Sequence, residues 1–184
     1  DFWFAAQDID GEGAASQQTV EFTGLDIAGL SDLSFSAKVA EDDDGTNQDW
    51  DLSDFVKVEY RIDGGEFRTL LAIENDGNTF NSAPLVDSDL DGTGDAPEIT
   101  STFQTLSASI AETGSVLDLR ITFDLDAGDE DLSIDDIRIV GQSGGTTPPA
   151  VLAGFLAMNS AICSCISCVP SPRESFWPGE FCSG

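Results

Sequence analysis

Apolar and polar side chains alternate along three segments of the chain, with the period of two that is typical of half-buried β-strands. The apolar positions of these segments are Leu33, Phe35, Ala37 and Val39, then Val56, Val58, Tyr60 and Ile62, then Leu117, Leu119, Ile121 and Phe123. Weaker patterns of the same kind predict five more strands, within residues 2–6, 19–23, 67–73, 103–110 and 134–140. No segment has a convincing helical period, so the pattern predicts an all-β protein of about eight strands.

Short strands and glycine-containing turns indicate two antiparallel sheets packed face to face, as in a jelly-roll β-sandwich. The sequence Asp63, Gly64, Gly65 fits a tight hairpin turn, because glycine permits the positive φ that such turns need. Two long acidic loops, at residues 40–54 and 75–101, separate the strands, and long loops on a rigid scaffold are where function usually resides.

The composition of the chain changes after residue 141. Residues 1–141 form the predicted sandwich, residues 142–149 are a linker rich in Gly, Ser, Thr and Pro, and residues 150–184 are an apolar, Cys-containing tail. Within the linker, Thr146 and Thr147 are candidates for O-glycosylation, and a plain spacer is the alternative. No apolar run approaches the roughly 18 residues of a transmembrane helix, so we expect no membrane insertion.

The charge is strongly one-sided. Against 7 Lys and Arg stand 35 Asp and Glu, a formal net charge of −28, which repels nucleic acid and anionic membranes and excludes both as partners. Clustered carboxylates are also the hard oxygen ligands that Ca2+ prefers, so the composition predicts a calcium requirement. The alternative is an acidic surface that keeps the protein soluble.

Residues 87–98 resemble the calcium loop of an EF-hand. The oxygen-bearing side chains at its first, third, fifth, ninth and twelfth positions are Asp87, Asp89, Asp91, Asp95 and Glu98. Gly92 takes the sharp-turn position, but Pro84 and Pro97 flank the loop and the surrounding residues predict strands. We therefore expect a static calcium site without the helices of a sensor, and a solvated Asp/Gly turn is the alternative.

A second, scattered set of acidic residues is a candidate for another calcium ion, because the strand ends of a sandwich can bring distant loops together. Its members are Asp10, Glu41, Asp54 and Asp136. Solvated loop charge is the alternative. Residues 128–131, Gly-Asp-Glu-Asp, predict a turn, and we assign no ion to them.

Four segments resemble jelly-roll modules of large secreted bacterial proteins. They are residues 20–30 (VEFTGLDIAGL), 55–65 (FVKVEYRIDGG), 117–121 (LDLRI) and 135–139 (DDIRI). The resemblance covers residues 1–141 and is to the MAM and lectin-like jelly-roll group. It implies a scaffold that often carries structural calcium and serves adhesion or carbohydrate binding, while the scaffold itself does not fix function.

The chain contains no His, which excludes Ser-His-Asp and Cys-His catalysis and imidazole metal sites. A glycosidase-like pair of carboxylates is left, but carboxylates are so abundant that their presence indicates no such pair, and we expect no enzyme activity. For glycan stacking the best candidate is Trp50, between Asp49 and Asp51, and the alternative is that Trp50 caps the core.

All four cysteines lie in the tail, as Cys163, Cys165, Cys168 and Cys182. An even number in a secreted protein favours two disulfides, in any of three connectivities, and a four-thiolate zinc site is the alternative. No basic segment followed by an apolar stretch opens the sequence, so we expect Asp1 to follow a removed signal peptide and the protein to be secreted, extracellular or at the cell surface.

These features together predict a non-catalytic structural or adhesive subunit that calcium stabilises. An apolar tail on a flexible linker can insert into, or add a strand to, a neighbouring subunit, so we expect a homo-oligomer or filament assembled through the tail. An extracellular carbohydrate-binding module, with glycans as partners, is the alternative function.

Overall fold

The computed structural model describes residues 2–41, 50–143, 150–151 and 166–170. Residues 2–143 contain nine strands: β1 (Phe2–Gln7), β2 (Gln17–Asp26), β3 (Leu30–Ala40), β4 (Phe55–Ile62), β5 (Arg68–Glu74), β6 (Leu85–Asp87), β7 (Gln104–Ile110), β8 (Val116–Asp124) and β9 (Asp131–Ser143). Two strands of the tail follow, β10 (Ala150–Val151) and β11 (Ile166–Pro170). The described residues contain one short 3-10 turn, Gly11–Gly13, and no helix that is long and apolar enough to span a membrane.

The strands form two antiparallel sheets. Sheet A has the order β1-β9-β3-β7, to which β11 adds on the outer edge of β1 and β10 adds beside β9. Sheet B has the order β2-β8-β4-β5-β6. The chain crosses repeatedly between the sheets, with β1, β3, β7 and β9 in one and β2, β4 and β8 in the other, which is the connectivity of a jelly roll. The predicted fold class is confirmed.

Alternation of burial explains why the strands could be predicted. In β3 the side chains of Leu33, Phe35, Ala37 and Val39 are buried, and the residues between them are partly exposed. All eight predicted strands are present, with ends that differ by a few residues. The three-residue strand β6 was missed, because so short a segment shows no period.

The predicted turn after β4 is also present. Asp63 and Gly64 both have positive φ, 50° and 74°, and the Gly65 N–H donates to the Ile62 carbonyl at 2.9 Å. Two positive φ values in a row define the hairpin turn that matches strand twist. The Asp63 carboxylate accepts hydrogen bonds from the backbone of Ser115 and Val116, so the turn is tied to the start of β8.

One end of the sandwich collects the long acidic loops. Strands β1, β3, β5 and β8 end there, and β2, β4 and β9 begin there, as the pairs Gln17↔Asp124, Phe55↔Glu74 and Gln7↔Asp131 show. We call this the acidic end and define it by residues 8–16, 50–54, 75–84 and 125–130. These four segments contain no Lys or Arg.

Two carboxylate clusters as candidate cation sites

The first cluster, called the loop cluster, consists of Asp87, Asp89 and Asp95. Each offers a carboxylate oxygen, and these atoms lie within 4.8 Å of one another. Asp87 is buried at the end of β6, while the other two are exposed. After Asp87 the chain turns and comes back along β6, where the Asp95 N–H donates to the Val86 carbonyl at 2.9 Å. The return of the chain brings positions one, three and nine of the loop together.

Backbone N–H groups of the turn surround the Asp87 carboxylate. The carboxylate accepts hydrogen bonds from the N–H groups of Leu90 at 2.6 Å, Asp91 at 3.2 Å and Gly92 at 2.9 Å. Gly92 has φ of +93°, a conformation that side chains rarely adopt, so the sharp-turn role predicted for this glycine is present. Three N–H donors hold Asp87 in one orientation, with its charge pointing into the loop.

The two exposed members of the loop cluster differ in their proton affinity. Hydrogen bonds from the Ser88 side chain and backbone to Asp95 lower the pKa of that carboxyl. The charge of Asp91, with slight desolvation and the charges of Asp95 and Asp87, raises the pKa of Asp89. Asp89 therefore lies in a field of negative charge that a bound cation would neutralise.

Two of the five predicted ligands of this loop lie elsewhere. Asp91 is in the turn but outside the group of converging oxygens. Glu98 forms an isolated bridge with Leu85, and its backbone carbonyl accepts a hydrogen bond from the Gln104 side chain at 2.8 Å. In an EF-hand the twelfth residue enters a helix and turns its carboxylate toward the ion, whereas here Glu98 forms only a single-residue bridge and the next strand, β7, begins at Gln104.

Glu74, which the sequence did not indicate, lies next to the loop cluster. It is buried at the end of β5, and its Oε1 lies 3.0 Å from Lys57 Nζ. Its Oε2 lies 3.7 Å from the position that a Cβ on Gly92 would take. The Glu74 carboxylate therefore borders the loop at the edge of the sheet, and Lys57 neutralises its charge.

The second cluster, called the end cluster, consists of Asp54, Asp126 and Glu130 at the acidic end. Their carboxylate oxygens also lie within 4.8 Å of one another. Asp54 precedes β4 and is 3% exposed, and Glu130 precedes β9 and is 1% exposed. The Asp51 backbone donates to Asp54, and the Ala127 backbone donates to Glu130 Oε2 at 2.7 Å. Local turns therefore aim both carboxyl groups inward, where Asp126 meets them.

Burial controls the protonation of the end cluster. It raises the pKa of Asp54 to about 6 and that of Glu130 to about 8, and the two side chains are hydrogen-bonded to each other. Burial, with the charges of Asp126 and Asp129, also raises the pKa of Asp51. At neutral pH Glu130 holds a proton that it shares with Asp54, in a region without a basic residue.

Only Asp54 of the four residues predicted for a second ion lies in the end cluster. Asp136 is on β9, where it forms ion pairs with Lys38 at 2.6 Å and Arg138 at 3.2 Å, and the hydrogen bond from Lys38 chiefly lowers its pKa. These two cations already neutralise it. Asp10 precedes the 3-10 turn and Glu41 is buried just after β3, both outside the converging group.

Glu130 was overlooked because its segment, 128–131, was interpreted as a plain turn. The chain does turn there, and the Glu130 N–H donates to the Ala127 carbonyl at 3.3 Å. The side chain nevertheless points into the protein and is almost fully buried. Glu130 lies directly before a strand and next to Asp131, and nothing in this local sequence indicates that its side chain points into the protein.

Trp50 is part of the core. Its side chain is 1% exposed, and its backbone forms a two-way bridge with Ser82, so the indole face is closed to a glycan. This structure agrees with the core-cap alternative. The exposed aromatic residues of the described chain are Phe80, 71% exposed in the loop after β5, and Phe103, 39% exposed before β7.

Several predicted sites lie outside the described residues. These are Thr146, Thr147, Cys163, Cys165 and Cys182. Cys168 is in β11, whose backbone pairs at this position with Phe4 of β1. The predictions of disulfides, zinc and O-glycosylation therefore stay predictions.

Comparison of the sequence with family models and with curated proteins finds no match. Among solved structures, one similar chain is described as "EclA C-terminal domain; sugar-binding protein". It is 19% identical to this chain, the match covers 68% of this chain and 79% of that one, and the TM-score is 0.35.

Proposed function

We propose that this chain is a non-catalytic β-sandwich module, stabilised by divalent cations, that serves as a structural or adhesive part of a secreted protein. The observation that carries the proposal is the convergence of carboxylate oxygens in two places, with one almost fully buried carboxyl group in the loop cluster and two in the end cluster. Burying carboxylates without a positive partner is costly, and a bound cation removes that cost.

Calcium fits both clusters better than other common metals. The ligands are carboxylate oxygens, which suit Ca2+ and Mg2+, and the chain has no imidazole to favour zinc or copper. Ca2+ accepts irregular oxygen shells, whereas Mg2+ requires a near-ideal octahedron. Irregular loops that bring together three carboxylates match the more tolerant ion.

The burial of the end cluster also argues against catalysis. A raised pKa on one of two neighbouring carboxyls is the arrangement of a glycosidase, but there a substrate must reach both groups. Asp54 and Glu130 are hydrogen-bonded to each other and almost fully buried. The pair therefore supports a structural role, as a brace between the loop before β4 and the loop before β9.

The test is calcium titration of the purified chain by calorimetry, together with thermal unfolding with and without a chelator. At a free calcium concentration of 100 times the dissociation constant, each site adds about 2.7 kcal/mol. For a chain of this length, that raises Tm by roughly 5–10 °C per site.

Substitutions show which cluster binds the calcium ion in that experiment. Asp87→Asn should remove binding at the loop cluster and Glu130→Gln at the end cluster, while Asp136→Asn, in an exposed ion pair outside both clusters, should keep both. A chain that binds no calcium, or whose Tm does not respond to it, would show that the proposal is wrong.

Assembly through the tail is a further part of the proposed function. The two described tail strands pair with β1 and β9 of their own chain as antiparallel strands, and this pairing supports the proposal that the tail adds strands to a sandwich of this sequence. Light scattering of the full chain against a chain cut after residue 142 tests assembly: large particles only with the tail support it, and monomers in both cases refute it.

Carbohydrate binding is a second candidate function, supported by the exposed ring of Phe80. Its loop contacts the loop of residues 87–98, since the Gly94 N–H donates to the Asn75 carbonyl at 2.8 Å. An exposed aromatic ring can stack on a sugar ring. Glycan-array binding that is lost in Phe80→Ala, but kept in the control Leu52→Ala, would support this function, and no binding would exclude these glycans.

A further inference from the structure

In the described part of the chain, three of the four sheet edges carry features that prevent pairing with a further strand. The outer edge of β1 is covered by β11, and β6 is only three residues long. β2 contains Glu21 and Asp26, and a bulge interrupts its register between Phe22 and Leu25. Cover, short length, charge and bulges all keep exposed edges from joining strands of other molecules. The fourth edge strand, β7, has none of these features.

Strand β7 is an unprotected edge. Its seven residues, Gln104–Ile110, include no charged residue and no proline. Its register with β3 runs without a bulge from Val39 opposite Gln104 to Leu33 opposite Ile110. Among the described strands β7 pairs with β3 alone, so alternate residues direct their backbone N–H and C=O groups away from the sheet. Such a row of donors and acceptors is ready to pair with another strand.

The sequence around β7 is uncharged in an otherwise acidic protein. Residues 99–111 contain no Asp, Glu, Lys or Arg, and they form the longest uncharged run within residues 1–138. Two copies of a chain with net charge −28 repel each other, so they can approach closely only where neither carries charge. A basic partner would instead be attracted by carboxylates, and this edge offers none. The edge therefore suits a second copy of the chain better than a basic partner.

Antiparallel pairing of β7 with β7 of a second copy brings compatible residues together. Thr105, Ser107 and Ser109 are exposed, and they alternate with Leu106, which packs against the core, so they lie on the outer face of sheet A. If Ser107 lies opposite Ser107 of the second copy, all seven residues pair and Thr105 lies opposite Ser109. Thr and Ser side chains that face each other across an antiparallel pair stabilise it by hydrogen bonding.

The same arrangement separates the two acidic ends. β3 ends at the acidic end, and β7 runs antiparallel to β3, so β7 begins there. In an antiparallel pair of β7 strands the two acidic ends therefore lie at opposite ends of the pair, roughly 20 Å apart. That distance is more than twice the Debye length of about 8 Å at physiological ionic strength. A parallel pair would put the acidic ends side by side, where their repulsion is strongest.

We propose that two copies of this chain pair through β7, antiparallel and about a two-fold axis at Ser107, so that sheet A continues from one copy into the other. Such a contact uses the same surface on both copies and closes as a dimer. It involves neither carboxylate cluster, so a chelator should not release it. It also uses no residue of the tail, and it is therefore separate from the assembly through the tail that is part of the proposed function.

Sedimentation of the full chain over a range of concentrations tests the proposal. Ser107→Glu places two carboxylates opposite each other at the axis, so it should raise the dissociation constant of the dimer severalfold. Ser36→Glu is the matched control, because Ser36 lies opposite Ser107 on β3, one strand away from the edge. The control adds the same charge to the same face and should dimerise like the parent.

A mixture of oppositely charged variants tests the two-fold axis. Ser107→Lys and Ser107→Glu should each dimerise more weakly than the parent, because like charges meet at the axis. An equal mixture brings a lysine opposite a glutamate and should dimerise at least as strongly as the parent. A mixture that associates no better than either variant alone would overturn the proposal.

Two other results of sedimentation would also overturn it. A parent chain that is monomeric at every concentration would show that β7 does not pair with a second copy. A dimer that Ser107→Glu and Ser36→Glu weaken equally, or that neither weakens, would place the contact on another surface.

Amide hydrogen exchange locates the contact even if the tail also assembles the chain. Backbone groups on the outer edge of β7 gain partners in the dimer, so exchange within residues 104–110 should slow severalfold as the chain is concentrated. Edge strand β2, residues 17–26, is the internal control and should exchange at a constant rate. An equal change in both strands, or no change in β7, would refute the proposed pairing.

Discussion

The loop cluster and the end cluster use the same chemical group, and they differ in what surrounds it. Asp87 of the loop cluster is held by three backbone N–H donors, and its two partners face water. In the end cluster, Asp54 and Glu130 are buried against each other. A cation entering the loop cluster displaces mainly water, whereas a cation entering the end cluster also displaces the proton of Glu130.

The difference shows that acidic residues are not equivalent ligands. A cluster that faces water and has no buried carboxyl pair should bind calcium with weak dependence on pH near neutrality. A cluster that must lose a proton should bind more tightly as pH rises, until Glu130 is ionised without metal. Four tests of this comparison follow, in order of decreasing effect.

The largest effect should be that of pH on the calcium-free chain. Folding raises the pKa of Asp54 from 3.8 to about 6 and that of Glu130 from 4.5 to about 8. The folded state therefore binds more protons than the unfolded state, and stability falls as pH rises between these values. We expect a loss of several kcal/mol, on the order of 1.4 kcal/mol per unit of pKa difference, complete above pH 8.

Denaturant unfolding at several pH values, with a chelator and with saturating calcium, measures that loss. Calcium should restore most of it, since the ion replaces the proton. A calcium-free stability that rises or stays constant from about pH 5 to about pH 9 would contradict the shared-proton description of the end cluster.

The second test is Glu130→Gln. The amide keeps a hydrogen bond to Asp54 but cannot ionise, so the variant should lose most of the pH dependence and be more stable than the parent without calcium at high pH, by roughly 1–3 kcal/mol. It should gain less from calcium than the parent. The isosteric change Glu112→Gln, in the exposed pair with Arg68, is the control and should change neither property.

The third test is Asp87→Asn in the loop cluster. The amide nitrogen would face backbone N–H donors that the carboxylate accepts, so stability should fall by about 1–3 kcal/mol even without calcium. Asp89→Asn is the matched comparison, because Asp89 is exposed and should weaken calcium binding with little effect on the calcium-free chain. If both variants lowered calcium-free stability equally, the backbone hydrogen bonds to the Asp87 carboxylate would make no specific contribution to stability.

The smallest effect should be that of Gly92→Ala. The φ of +93° strains any side chain, which costs roughly 1 kcal/mol, although the added methyl group has free space around it. Chemical denaturation measures this cost, and Gly128→Ala is a control at a glycine with open space for the methyl group and no positive φ. An unchanged midpoint would show that the loop relaxes around the methyl group.

The features that the sequence predicted are set by neighbouring residues, and those that it did not predict depend on contacts between distant segments. Burial alternates within each strand, so Leu117, Leu119 and Ile121 reveal β8 without knowledge of its partners. The loop cluster was found for the same reason, since its members lie within nine consecutive residues. Asp54, Asp126 and Glu130 come from two distant loops, and their meeting depends on the pairing of β4 with β8.

The position of Asp136, outside the end cluster and paired with Lys38, could not be predicted for the same reason. Its neutralisation depends on Lys38, which lies almost one hundred positions earlier and is brought close by the pairing of β3 with β9. A local pattern of Asp residues shows which side chains are available as ligands. It does not show which of them are already paired with a cation on a neighbouring strand.

The arrangement of β1 and β9 determines how the sandwich responds to force. Residue 2 at the start of β1 and residue 143 at the end of β9 both lie at the end opposite the acidic loops, since Gln7 pairs with Asp131 at the acidic end. Tension between these two points peels the antiparallel strands apart one hydrogen-bonded pair at a time, instead of loading all pairs in shear. A module held this way would open pair by pair, from Leu30 and Ser143 between β3 and β9 and from Phe4 and Ile134 between β1 and β9, and would reach the acidic loops last.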